Sequence, residues 1–238
     1  MIKNKVEKNL FIGIDLGGPI KRTTGLCILE EKEKEFLPLQ NQCQGCKLIK
    51  GEEVFRQIKP YLKNTLTIAV DGPLSFGPGK GKMRLYEKFL STKIFRKAHV
   101  NPLPPILIKK ITEEGILLTE NFSHFGFSKD IDVIETFPTF VLALCGGIKK
   151  LIKKVDQSVK IKIKMPHCPI SHQQMAFTCS LVALLHAKNL TSFIGYRDGM
   201  LILPHFDFWE EKWQNKFKEA WKEKDYLKYR HLKTDVFS

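Results

Sequence analysis

Three times in this chain a short apolar run ends in an acid. The run 11–14 stops at Asp15, the run 67–70 at Asp71 and the run 131–134 at Glu135. One acid after a strand is ordinary loop polarity, but three in the same position form a pattern. In an open α/β sheet, ligands bind beyond the carboxyl ends of the strands, so parallel strands bearing these acids would bring them together. Their mutual repulsion then has to be offset. Hard divalent cations such as Mg²⁺ or Mn²⁺ do this through oxygen ligands, and two of them clamp the attacking and leaving oxygens of a phosphodiester. Lys80, Lys82 and Arg84 follow Asp71 closely and are the cations expected to meet a scissile phosphate.

The elements that must hold these acids read as follows. The run 11–14 is a buried strand broken by the turn residues 15–19; 24–29 is a second strand and 36–39 begins a third, an antiparallel opening. A helix is expected over 52–62 and a strand over 66–70. After a Gly/Pro/Lys-rich loop at 75–82, helices are expected over 83–90 and 106–122. The strand 131–135 precedes a helix over 138–145 that Gly146 and Gly147 terminate. A lysine-rich insert, 149–164, ends in an alternation that would line lysines along an edge strand, where they guard against aggregation. Beyond it come an apolar helix over 173–187 and a strand over 200–203. The tail, 208–229, opens with Asp207 and Glu210 at capping-box spacing. It carries Trp209, Trp213, Phe217 and Trp221 four residues apart, a stripe that docks on a core. Strands first as a meander, then alternating with helices, describe a mixed α/β sheet in a single domain over 1–238, with 205–238 as a helical tail packed on it.

Residues 13–16 with Thr24 and Gly25, residues 70–75, the segment 84–90, Pro104 and Pro105 before a helix, and residues 133–138 together resemble the RNase H-like nuclease family known as domain of unknown function 429. The resemblance spans about residues 10–204. It implies an RNase H-like five-stranded mixed sheet, with the first strand beside the fourth and the fourth beside the fifth, so that Asp15, Asp71 and Glu135 converge on two metal ions. The family's last acid lies in a His-x-x-Asp-Ala pattern that here runs from His172 to Ala176, with Met175 in the aspartate's place. A thioether is a poor ligand for Mg²⁺ or Mn²⁺, so His172 becomes the fourth candidate ligand, or else a polar residue at a helix start.

Composition agrees with a polyanionic partner. A formal charge of +14 suits nucleic acid, DNA or RNA, although a thermophile's Lys/Glu-rich surface has a similar composition. The charged first ten residues do not resemble a signal peptide, the apolar stretches 140–148 and 179–187 are too short for a membrane helix, and the six cysteines form no regular framework; a cytoplasmic protein with reduced thiols is expected. Cys43 and Cys46 have the spacing of a zinc pair. Cys27, His167 and Cys168 are the only guesses for completing it, and no zinc is expected. Three functions remain open: a metal-dependent nuclease, a nucleic-acid-binding protein that has lost turnover, and a nucleotide-binding domain like those of sugar kinases, whose phosphate-binding opening residues 13–18 also resemble.

Overall fold

The computed structural model describes residues 9–18, 21, 23–33, 35–39, 46–78, 83–96, 102–168, 170–224 and 229–237. In chain order the elements are β1 (Leu10–Asp15), β2 (Thr24–Lys32), β3 (Glu35–Pro38), β4 (Cys46–Ile49), α1 (Val54–Ile58), β5 (Thr65–Asp71), α2 (Leu85–Leu90), α3 (Lys93–Arg96) and α4 (Lys109–Ser123). There follow β6 (Val133–Thr136), α5 (Pro138–Cys145), α6 (Ile148–Val159), β7 (Lys162–Ile163), α7 (Ser171–Ala187), β8 (Thr191–Tyr196), β9 (Gly199–Pro204), α8 (Glu211–Glu223) and β10 (Lys233–Thr234).

Among the described residues the main sheet has seven strands rather than the expected five, in the order β6-β5-β1-β2-β3-β7, with β4 also paired to β2. β1 is antiparallel to β2 and parallel to β5, and β5 is parallel to β6. The additions are short edge pieces. The lysine alternation contributes only the two residues of β7, beside β3, and most of the insert is instead α6, which buries Leu151 and Val155 and turns its lysines outward. β9 does not join this sheet. It forms a hairpin with β8, and β10 adds to β8 as a third strand of a separate sheet.

β1 is buried at every position, as a central strand covered on both faces must be. Alternation along it separates two cores. Phe11 shares one with Ala69 of β5 and with Val141, Phe177 and Leu181 of α5 and α7. Ile12 and Ile14 share the other with Ile68, Val70, Val54 of α1 and Phe122 of α4. α5 spans the expected residues and ends where Gly146 takes φ +76°, the left-handed cap a glycine adopts without strain. In the tail, Trp213 and Phe217 of α8 enter the first core. The expected capping box is absent: α8 starts at Glu211, Asp207 lies in a 3-10 turn, and Glu210 pairs with Lys150 and Lys212. No helix among the described residues is long and apolar enough to cross a membrane.

α7 lies unusually close to the sheet because two strand residues have no side chain. A Cβ at Gly13 would stand 2.0 Å from Ala176 O, and one at Gly25 would stand 2.1 Å from His172 O. Gly25 pairs with Asp15 across β1 and β2. The gap at Gly25 therefore brings the first turn of α7 down onto the end of β1.

Candidate active site

Asp15 and Asp71 are register partners at the carboxyl ends of parallel β1 and β5, so both point to the α7 face. Asp15 is only 6% exposed, and its Oδ2 lies 2.7 Å from Nδ1 of His172, the second residue of α7. Burial raises the pKa of Asp15, partly offset by the hydrogen bond and charge of His172. Asp71 stands well above the usual carboxylate range, first because of burial and next because of the negative charge of Asp15. The two carboxyl groups are hydrogen bonded to each other, and their proximity disfavours negative charge on both at once. The line Asp71, Asp15, His172 is the polar centre of the site.

Glu135 is placed differently. It pairs with Val70, one residue short of Asp71, and the residue beside Asp71 on its face is Thr136, whose hydroxyl donates to Ile202 O at 2.9 Å. Both oxygens of Glu135 are engaged. Oε2 accepts from Leu74 N–H at 3.0 Å and Arg84 Nη1 at 2.6 Å, while Oε1 accepts from Arg84 Nη2 at 2.6 Å and from the Tyr86 hydroxyl. Glu135 still lines the cavity of about 260 Å³ that opens beside Asp71, but it holds the wall rather than offering free oxygens.

Arg84, expected to meet substrate, is 1% exposed. It also donates to Glu87, from Nε at 3.0 Å and Nη2 at 2.6 Å, to the Tyr86 hydroxyl from Nη2, and to Ser75 Oγ from Nη1 at 3.4 Å. Burial acts to lower its pKa, but Glu135, Tyr86 and Glu87 together outweigh this and hold the guanidinium above its ordinary range. Tyr86 is pushed well up by burial and by Glu135, so its hydroxyl keeps its proton. The pattern of strand-end acids does not single out Tyr86 or Glu87, although the spacing of Arg84 and Glu87 at a helix start, with Glu87 Oε2 accepting the Arg84 N–H at 2.7 Å, is a legible capping signal. Lys80 and Lys82 lie outside the described residues.

Met175, one turn after His172, has its sulfur 3.8 Å from Thr139 Oγ1. The glycine loop after β1 is closed on itself: Gly17 N–H donates to Thr24 Oγ1 at 3.1 Å and Gly17 O accepts from the Thr23 hydroxyl at 2.6 Å. That N–H is therefore taken and does not serve a phosphate. Cys46 pairs across the sheet with Cys27 and hydrogen bonds to Cys168, while Cys43 lies outside the described residues.

Among the described residues no group of three or more His, Cys, Asp or Glu side chains is arranged to hold a metal ion. A hard cation between Asp15 and Asp71 would relieve the repulsion that raises the pKa of Asp71, and Mg²⁺ is commonly held by one or two carboxylates with water and phosphate oxygens completing its shell. Two neighbouring carboxylates meet that minimum for one ion. A second ion is not provided for, because Glu135 has no free oxygen and Met175 offers none.

Comparison of the chain with protein-family models, with curated proteins and with solved structures found no match.

Proposed function

We propose that the protein is a divalent-metal-dependent phosphodiesterase acting on nucleic acid, built on an RNase H-like core. The observation that carries this reading is the register pairing of Asp15 with Asp71 at the ends of two parallel strands, with His172 bonded to Asp15. The strand order β6-β5-β1-β2-β3 supports the core assignment, since the first strand lies beside the fourth of that set and the fourth beside the fifth.

When bound, the cation would polarise a phosphoryl oxygen and make water a nucleophile near neutral pH. Asp15 and Asp71 would hold it through their carboxylate oxygens. His172 orients the Asp15 carboxylate and, at 40% exposed, faces solvent on its other side. The Arg84–Glu135 pair fixes the loop after β5 through the Leu74 N–H, keeping the cleft wall in place. Pro73, Leu103, Ile108 and Phe137 give that cleft an apolar side suited to a sugar or base.

The test uses end-labelled single-stranded DNA, RNA and duplexes incubated with Mg²⁺ or Mn²⁺ and resolved on denaturing gels, with Asp71→Asn as control. We expect metal-dependent cleavage that Asp71→Asn abolishes. Binding without cleavage under every condition would favour the non-catalytic alternative.

A further inference from the structure

We propose that the outer face of the three-stranded sheet is a docking groove for single-stranded nucleic acid. This deepens the nuclease reading and rests on it for its biological sense, but it is tested by binding alone. The groove has a volume of about 420 Å³. Its floor is Phe193 and Met200 around Gly195, where a Cβ would lie 2.4 Å from Gly199 O, so the close approach of β8 and β9 requires a residue without one and leaves the floor open. Lys233 and Met200 are the cross-strand partners of Gly195 on β10 and β9, and directly opposed residues share a face.

Around this floor stand Arg197, Arg230, His231 and Lys233. Among the described residues no carboxylate pairs with Arg197, Arg230 or Lys233. The nearby acids face other partners: Asp198 Oδ2 accepts from Leu85 N–H at 2.8 Å, and Asp235 accepts from Phe193 N–H at 2.7 Å. The Tyr196 and His231 rings lie 5.8 Å apart at 39°, and the Arg197 guanidinium is 6.0 Å from the Tyr196 ring centre. Cations at the rim with flat apolar groups between them are what a flexible strand uses: phosphates meet the cations and bases stack on the rings. A duplex, its bases turned inward, gains nothing from the rings.

The groove and the candidate active site share strand β9. Met200 lines the groove, and the next residue, Leu201, points to the opposite face and lines the cavity beside Asp71. The hairpin turn is tied to that cavity's wall, since Ser75 donates to Asp198 O at 2.9 Å and a Cβ on Gly199 would touch Arg84 Cδ at 3.0 Å. A strand leaving the groove around this turn would be led toward the Asp71 cleft.

The experiment measures fluorescence anisotropy of a labelled thymidine oligomer of about 15 nucleotides, long enough to span such a groove, with the full chain in EDTA across a KCl series. Thermal melts check that each variant is folded. Arg230→Ala/Lys233→Ala should weaken binding at least tenfold and reduce the steepness of the log–log salt dependence by about 1.4, at roughly 0.7 for each phosphate no longer neutralised. Arg197→Ala should act in the same direction by itself. Tyr196→Ala should weaken an ordinary oligomer several-fold and an abasic one not at all. Lys149→Ala/Lys153→Ala, which removes the same charge from exposed positions on α6, should change binding less than twofold. Equal weakening by the α6 variant, unchanged binding by the groove variants, or a preference for duplex would overturn the proposal. Binding that depends on the groove without cleavage in any metal leaves the groove standing and removes the nuclease. Cleavage whose KM ignores the groove variants does the reverse.

Discussion

The Arg84 guanidinium grips the Glu135 carboxylate through two parallel hydrogen bonds, Nη1 to Oε2 and Nη2 to Oε1, each 2.6 Å. Bidentate pairing of this kind is the strong form of the arginine–carboxylate interaction. Both residues are buried, and Glu87 and Tyr86 complete the set. Removing Arg84 would strand two buried carboxylates. We expect Arg84→Leu to cost about 3–5 kcal/mol, read by urea denaturation, while Glu135→Gln costs less and leaves Mn²⁺ affinity within a few-fold of wild type. Loss of metal binding in Glu135→Gln would instead make Glu135 a ligand.

The Asp15–Asp71 pair should make stability depend on pH in a definite direction. Both folded pKa values are raised, chiefly by burial. The folded state thus binds protons more readily than the unfolded chain. This contribution is fully present below the unfolded carboxylate pKa, near 3.9, and is lost as pH rises through the folded values. At neutral pH the pair therefore lowers stability. We expect Asp71→Asn to raise stability at pH 7 by about 1 kcal/mol, with no gain at pH 4. Mn²⁺ should raise the Tm of wild type, because ligand binding to the folded state stabilises it, and leave that of Asp71→Asn unmoved.

Gly25 and Gly13 set the approach of α7 and hence the reach of His172. A methyl at either would meet α7 backbone at about 2 Å, which no side-chain adjustment relieves. We expect Gly25→Ala to destabilise the fold by about 3 kcal/mol, at the upper end for overpacking, and to release His172 from Asp15, visible as a shifted imidazole resonance in the NMR spectrum. A neutral effect of Gly25→Ala would mean that α7 can lift away at no cost.

The RNase H-like reading places an acid where this chain has Met175. We expect Met175→Asp to increase Mg²⁺-dependent cleavage, and His172→Ala to lower the Mn²⁺-dependent rate without unfolding the chain, because Asp15 then loses the hydrogen bond that orients its carboxylate. An unchanged rate in His172→Ala would reduce the histidine to a helix-start residue.

Asp15 and Asp71 were legible because buried parallel strands read as continuous apolar runs, and the acids that end them stand out. The face of Glu135 was not. Which way a strand residue points depends on pairing register, and the register of β6 on β5, Glu135 beside Val70, is fixed by contacts remote in the chain. The Arg84–Glu135 bond spans 51 residues, so Arg84 read as a free cation. α7 and α5 were plain from apolar content and caps. The three-stranded sheet was not, because Ser192 and Gly195 interrupt β8 and β10 has only two residues. The alternation that ends the insert 149–164 marks an edge strand, of which Lys162–Ile163 forms β7, while the helix before it rests on the spacing of Leu151 and Val155.

The central claim is that Asp15 and Asp71 together hold one divalent cation. It is tested most directly by anomalous diffraction from crystals soaked in Mn²⁺ at neutral pH. We expect a single strong peak within about 2.1–2.3 Å of one oxygen from each carboxylate, as Mn²⁺–oxygen bonds require, and none at Glu135. No peak between Asp15 and Asp71 at saturating Mn²⁺, or a peak bridged by Glu135 with Arg84 displaced, would contradict it.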